Sequence, residues 1–389
     1  MQDNPEIPGG IPVFDERIHI VKPRLPQWTD IADGCNCILT SGMVTKGTYL
    51  QQFEQAVAAH LHVNHAIGVS SCTSGLMLSY QALGLTGEVI VPSFTFMATV
   101  SALVWANLKP VYVDVNRDTT NILPEAIEGA ITPDTSAIVA IHNFGNPAEI
   151  DALEQIARQN SLNLIFDAAH GFGTRYRGAP VGGQGDAHVY SLSPTKLLIA
   201  GEGGVVATNN DELAEHVRMG REYGNSGAYD SAFAGMNARL AEFNALLGLR
   251  SLDMLEQAAG RRNEIVELYH RELGDLPGIG FQKVDTENRC SYKDFSITVD
   301  PDAFGMSRDE LAESLAAANI DSRKYYDPPV HRQQAYRQFA SPDRPLPHTE
   351  WLSDHSLCLP VWSHMDEKIV LGICEAVHRI YRTAPAVSL

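Results

Sequence analysis

Between residues 66 and 167 the chain alternates short, almost unbroken apolar runs with segments of helical periodicity. No other feature limits the fold as much. The runs A-I-G-V, E-V-I-V-P, P-V-Y-V-D-V, A-I-V-A-I-H and L-N-L-I-F-D lack the polar alternation of a strand with one wet face. Strands that are apolar on both faces and separated by helices predict a mainly parallel sheet covered on both sides. Functional residues in such a sheet belong at the carboxyl ends of the strands. Upstream, Leu50, Phe53, Val57 and Leu61 fall at helical spacing within residues 47–62 and predict an amphipathic helix.

Beyond residue 212 the pattern turns helical, interrupted by the glycine-rich stretch R-E-Y-G-N-S-G, and a long helix runs through R-R-N-E-I-V-E-L-Y-H. The strand D-F-S-I-T-V then opens a second α/β unit, whose helix starts at the capping box formed by Ser307 and Glu310. A chain of 389 residues exceeds one ordinary domain. The expected division is an N-terminal arm and large domain over residues 1–250 and a small C-terminal domain over 251–389, with the boundary inside the connecting helix. The proline-rich residues 1 to about 30 are expected to form an extended arm that wraps a neighbour.

Composition removes several classes of function. A net charge of -18 argues against a nucleic-acid surface, since phosphate backbones demand clustered Lys and Arg. Six scattered cysteines do not make a disulfide framework, and Cys35-x-Cys37 has no partner at zinc spacing. His60 and His62 point to different faces of their helix, so with His65 they read as surface or packing histidines, and no metal is expected. No apolar run reaches the length of a bilayer span, and the polar start lacks a signal core. The expectation is a reduced, cytoplasmic protein.

The chemistry concentrates between Asp167 and Gly204: F-D-A-A-H-G, then V-Y-S-L-S-P-T-K, then G-E-G-G. A carboxylate ends one apolar run, and a lysine, Lys196, follows another in a Ser/Pro/Thr turn beside a glycine cluster. Pyridoxal 5'-phosphate (PLP) chemistry needs an amine to bond its aldehyde and an acid to keep its pyridine nitrogen protonated. Lys196 and Asp167 supply them, and His170 is placed to reach the ring's 3' oxygen. Farther upstream, V-S-S-C-T-S-G runs from a strand into a helix start, where free N–H groups and the helix dipole attract an anion. Thr73 and Ser74 are the candidates for the phosphate there. Thr73, Ser74 and Asp167 also read as ordinary helix caps, and His170 as packing.

V-P-S-F-T-F-M-A-T, F-D-A-A-H, Y-S-L-S-P-T-K and G-E-G-G, in that order, resemble the DegT-type sugar-nucleotide aminotransferases. The likeness runs from about Thr40 to the final helix. It implies the α/β fold type I of PLP enzymes: a large domain with a mostly parallel seven-stranded sheet between helices, plus a smaller C-terminal α/β domain. It further implies a homodimer with shared active sites, Lys196 bonded to PLP and Asp167 at the pyridine nitrogen. Phe96 would stack on the ring, Ser191 with the backbone of Thr73 and Ser74 would take the phosphate, and Asn237 would reach in from the partner subunit. The chain departs from the family pattern at His170, where glutamine is common, at Ser193, where histidine is common, and at Cys72, where glycine is usual.

Family members move an amino group from L-glutamate or L-glutamine to a keto group of a nucleotide-linked sugar. D-S-R-K-Y-Y-D-P-P-V-H is similar to members acting at C4 of a dTDP-4-keto-6-deoxyhexose, making Tyr325 and His331 candidate sugar contacts. Arg239, Arg323 and Lys324 are candidates for the diphosphate or the donor carboxylate. Three other readings stay open: a C3 aminotransferase, a PLP-dependent sugar dehydrase, and a non-catalytic regulator of the same fold. The dehydrase branch has histidine in place of the lysine, so Lys196 favours transamination.

Overall fold

The computed structural model describes residues 13–227 and 229–383. Five apolar runs form the strands β1 (His65–Val69), β2 (Glu88–Pro92), β3 (Lys109–Val113), β4 (Thr135–Ile141) and β5 (Asn163–Asp167). After a two-stranded ribbon of β6 (Arg175–Tyr176) and β7 (Ala179–Pro180) come β8 (Ala187–Ser191) and β9 (Gly204–Thr208). The seven long strands make one sheet in the order β1-β9-β8-β5-β4-β2-β3. Every pairing is parallel except those of β9, which runs against both of its neighbours. That reversal matters: the start of β9 lies beside the carboxyl ends of β1 and β8.

Both faces of the sheet are buried, as continuous apolar strands require. Ile67, Val89, Val139, Ile165 and Val206 pack on one side with the helix Cys72–Ala82. Ile90, Ile138, Leu164 and Phe166 pack on the other with the helix Ile150–Asn160. Each fully buried aliphatic side chain is worth about 1.5–3 kcal/mol of transfer free energy, so the sheet is a stiff platform for the loops at its edge.

A second, antiparallel sheet joins β10 (Ile279–Phe281), β11 (Phe295–Val299) and β12 (Ser356–Leu359). Phe295, Ile297, Leu311, Trp362 and Ile373 build its core with three helices, Leu255–Leu273, Arg308–Ala317 and Glu367–Thr383. The helical stretch around residue 250 is two helices, Glu242–Asp253 and Leu255–Leu273. In the second, Leu255 and Ala259 pack in the large-domain core and Ile265 to Leu273 in the small-domain core. The capping box at Ser307 and Glu310 is present.

Part of the N-terminal arm falls among the described residues. It lies on this chain's own small domain: Ile18 is buried there, pairs with Ile320, and Asn319 bonds the carbonyl of Phe14. Burying Val13, Phe14 and Ile18 against an intramolecular apolar core accounts for the placement. Residues 1–12 lie outside the described residues. No helix among the described residues is long and apolar enough to cross a membrane.

Candidate active site

The carboxyl ends of β1, β2, β5 and β8 open on a cavity of about 410 Å³ whose lining includes Thr73, Phe96, Asp167, His170, Ser191 and Lys196. The sheet places them: Asp167 is the last residue of β5, Ser191 the last of the adjacent β8, and Thr73 follows β1 in the first turn of a helix. The far wall comes from the small domain through Lys293, Asp294, Tyr325 and Tyr326. Another cleft, of about 440 Å³, collects Asp118, Asp151, Asp285 and Glu287, but only the first cavity joins a buried acid to a lysine amine with an ionisation suited to catalysis.

At the helix start, Ser71 caps Cys72–Ala82: its hydroxyl accepts from the N–H of Ser74, whose own hydroxyl returns to the Ser71 backbone. Both polar groups of Ser74 are thereby engaged, and the residue stands behind the cavity wall. Thr73 and Cys72 stand in the same first turn, where N–H groups carry the positive end of the helix. The glycine cluster explains the tight approach. A Cβ on Gly204 would fall 2.6 Å from the Cys72 nitrogen and the Ser71 carbonyl carbon, so only glycine lets β9 start against this helix end. Ser191 completes the rim and exchanges a hydrogen bond of 3.3 Å with Ser193.

Asp167 is only 6% exposed, and no helix follows it, so it is not an N-cap. Its Oδ2 accepts from the Thr99 hydroxyl at 2.7 Å, and its Oδ1 accepts from the Ala169 N–H at 3.1 Å and the Cys72 thiol at 3.7 Å. All of these partners are uncharged. Burial raises the Asp167 pKa against the hydrogen bonds that lower it. Water-poor surroundings also drive the Cys72 thiol up and His170 well below its usual range, so both are neutral near pH 7. His170 is held at the cavity through its carbonyl, which accepts from Ser291 at 2.7 Å, and its Nδ1 is buried without a partner.

Lys196 sits in the bend after β8, anchored by its N–H to the Ser193 carbonyl and by the buried Leu197 and Leu198 that follow. Burial, with Lys293 next, lowers its pKa to about 8. Such an amine is unprotonated for a useful fraction of the time near neutral pH, as a nucleophile requires.

Other expected residues lie elsewhere. His331 is outside the cavity: its Nδ1 meets the Ser93 hydroxyl and its Nε2 meets Glu350, both at 2.7 Å, so it ties its loop to the segment carrying Phe96. Arg239 pairs with Glu222 at 2.9 Å and, with the exposed Asn237, faces outward. Lys324 pairs with Asp309 at 2.7 Å, and exposed Arg323 pairs by its backbone with Cys358. Tyr325 is the one residue of the expected sugar group that lines the cavity. Sequence reading missed Thr99, Lys293, Asp294 and Tyr326. S-Y-K-D carries no spacing that sets it apart from a surface loop.

Against known proteins, the profile of the DegT/DnrJ/EryC1/StrS aminotransferase family matches residues 28–378. The chain belongs to this family. It is 35% identical over 343 residues to the dTDP-3-amino-3,4,6-trideoxy-alpha-D-glucose transaminase of Streptomyces venezuelae, covering 87% of this chain and 89% of that one. It is 33% identical over 363 residues to the dTDP-4-amino-4,6-dideoxy-D-glucose transaminase of Escherichia coli, covering 92% and 97%. Among solved structures, DesI in the presence of its TDP-sugar product superposes with a TM-score of 0.91 at 34% identity, covering 96% of this chain and 95% of that one. The fold is therefore fold type I, and the cofactor of this aminotransferase is PLP.

The cavity fits that cofactor on its own terms. A buried carboxylate with only neutral partners lacks a cation, and a protonated pyridine nitrogen is one. The orphaned Nδ1 of His170 is free to bond a ring substituent, and the capped helix start with Ser191 suits a phosphate.

Proposed function

We propose that this aminotransferase transfers an amino group from L-glutamate or L-glutamine to the C4 keto group of dTDP-4-keto-6-deoxy-glucose, in deoxyamino-sugar biosynthesis. The observation that carries the reading is the meeting of Lys196 and Asp167 in one cavity. In it, Lys196 would bond the cofactor aldehyde and Asp167 would hold the pyridine nitrogen protonated. When bound, the cofactor supplies an electron sink for the carbanion left when a proton leaves the substrate carbon. The Lys196 amine would hold and move the proton at the substrate carbon, acting in turn as base and acid. His170, neutral, would bond the ring's 3' oxygen, and Phe96 would stack on the ring. Thr73 and Ser191 orient the phosphate.

The nucleotide-sugar substrate is supported by the names of the relatives, which place the amine at C3 in one and C4 in the other. The C4 choice rests on the D-S-R-K-Y-Y-D-P-P-V-H segment, whose Tyr325 lines the cavity. A homodimer is part of the proposal. Asn237 and Arg239 lie beside segments exposing Met43, Val44 and Phe243, an apolar surface suited to a second copy that brings Asn237 to its neighbour's site. Six free cysteines suit the cytoplasm.

The test incubates the purified chain with PLP, glutamate and dTDP-4-keto-6-deoxy-glucose and follows the sugar by NMR. The expected product carries a C4 amine, with one 2-oxoglutarate per sugar. A C3 amine or a deoxygenated sugar without an amine overturns the assignment. Mixing inactive Lys196→Ala chains with inactive Asn237→Ala chains tests the shared site: partial recovery of activity supports it, and none contradicts it.

A further inference from the structure

Two lysines line the same cavity, and the fold treats them differently. Among the described residues Lys196 Nζ makes no ion pair, whereas Lys293 Nζ bonds both carboxylate oxygens of Asp294 at 2.8 Å and lies 5.5 Å from the centre of the Tyr325 ring. The Lys293 and Asp294 side chains are only 8% and 7% exposed. Neighbours in a regular strand face opposite sides, so an irregular backbone is needed to turn both toward one cavity. Tyr292 supplies it, with a left-handed φ of 46°. The kink is held from both directions. The Ser291 and Lys293 N–H groups donate to the carbonyls of Gly145 and Phe144, and the buried Arg262 guanidinium donates to the carbonyls of Tyr292 and Lys293 at 2.7 and 3.0 Å.

A buried ion pair seldom adds net stability, because desolvation consumes most of the Coulomb gain. A buried guanidinium and a strained tyrosine gathered around one buried pair therefore point to a function for the pair. We propose that Lys293, clamped to Asp294, is a positioning residue for Lys196: it fixes a cation on the small-domain wall and keeps Asp294 for itself. The free Lys196 amine, left without a counter-ion, keeps a larger unprotonated, nucleophilic fraction between the two half-reactions. The inference rests on the reading of Lys196 as the cofactor lysine.

The groups facing Lys196 agree in sign. Burial is the strongest influence against its ammonium, and Lys293 is next; Asp294, Cys72 and Asp167 favour it more weakly. Asp167 is already occupied by Thr99 and Ala169, and neutral His170 and Tyr325 complete the surroundings. A second cation beside a desolvated lysine is an established way to hold the amine neutral.

The test is an NMR titration of the full-length, cofactor-free chain labelled with [ε-13C]lysine, with the Lys196 signal assigned by its loss in Lys196→Met. It requires neither PLP nor turnover, so its failure is separable from a failure of the cofactor reading. The wild-type midpoint is expected near 8. Lys293→Met removes the cation and bares Asp294, and should raise the midpoint by at least about one unit, cutting the neutral amine at pH 8 from about half to about a tenth. Asp294→Asn should lower the midpoint, and Lys293→Arg should leave it in place. A Lys293→Met midpoint equal to wild type overturns the proposal. Should that variant fail to fold, an Asp294→Asn midpoint that stays put or rises overturns it equally.

Discussion

One wall of the cavity takes Thr73, Asp167 and Ser191 from the ends of strands in a single sheet. The other takes Lys293, Asp294, Tyr325 and Tyr326 from two stretches that meet only because β11 pairs with β12 and Arg323 pairs with Cys358. The first wall presents a carboxylate with uncharged partners and the capped start of a helix. The second presents a paired lysine and two tyrosines. The large sheet thus carries the groups assigned above to the cofactor, and the small domain those proposed to tune the amine and meet the substrate. On that proposal, cofactor chemistry and substrate choice belong to separate pieces of chain.

Breaking the first wall should have the largest effect. Lys196→Ala is expected to lower amino transfer by more than about 10³-fold, since both the covalent attachment and the proton carrier are lost. Circular dichroism should show the fold intact; a variant with substantial residual transfer would place the chemistry on another residue. Asp167→Asn, keeping shape but removing the charge, should cost about 10²-fold in turnover, comparable to deleting one preorganised electrostatic partner. Spectral titration should show the cofactor bound but its ring less readily protonated.

The pH dependence of folding sharpens the contrast between the two lysines. In the unfolded chain Lys196 holds its proton up to about pH 10.5, and in the folded chain only to about 8. Between those values the unfolded state binds more protons, so this residue makes stability rise with pH and fall as pH drops through 8. Allowing for water in the cavity, the cofactor-free wild type should gain about 2 kcal/mol more than Lys196→Met between pH 7 and 10. Urea unfolding at a series of pH values measures it. Parallel stability curves would show that Lys196 is not held neutral.

The smallest effects divide the walls most cleanly. Thr99→Val removes a hydrogen bond to Asp167 and should weaken cofactor affinity by about 1 kcal/mol, or about fivefold, with little change in sugar KM. Tyr325→Phe should do the opposite, raising sugar KM about threefold and leaving cofactor affinity alone. Should both variants shift the same parameter, the division of labour fails.

That division also explains what could be read in advance. The mainly parallel sheet, the helix after β1 and the positions of Asp167 and Lys196 follow from apolar periodicity and short motifs, because each depends on residues near it in the chain; the count of seven strands comes from the family resemblance. The reciprocal cap that engages the N–H and hydroxyl of Ser74 is a local detail that Ser/Thr composition alone does not specify. Lys293 and Asp294 are not legible because the bonds that hold their stretch of backbone come from Arg262, Phe144 and Gly145, which lie far from them in sequence. His331 sits in a motif-like segment, yet it bonds Ser93 and Glu350 because the loop packs back on β2. Arms, loops and walls that exist only through tertiary packing leave weak marks in a sequence.

The most direct measurement reduces the PLP-loaded protein with borohydride and maps the modified peptide by mass spectrometry. A phosphopyridoxyl group on Lys196 alone is the predicted result. The group on Lys293 or another lysine, or no trapped cofactor at all, would contradict the account.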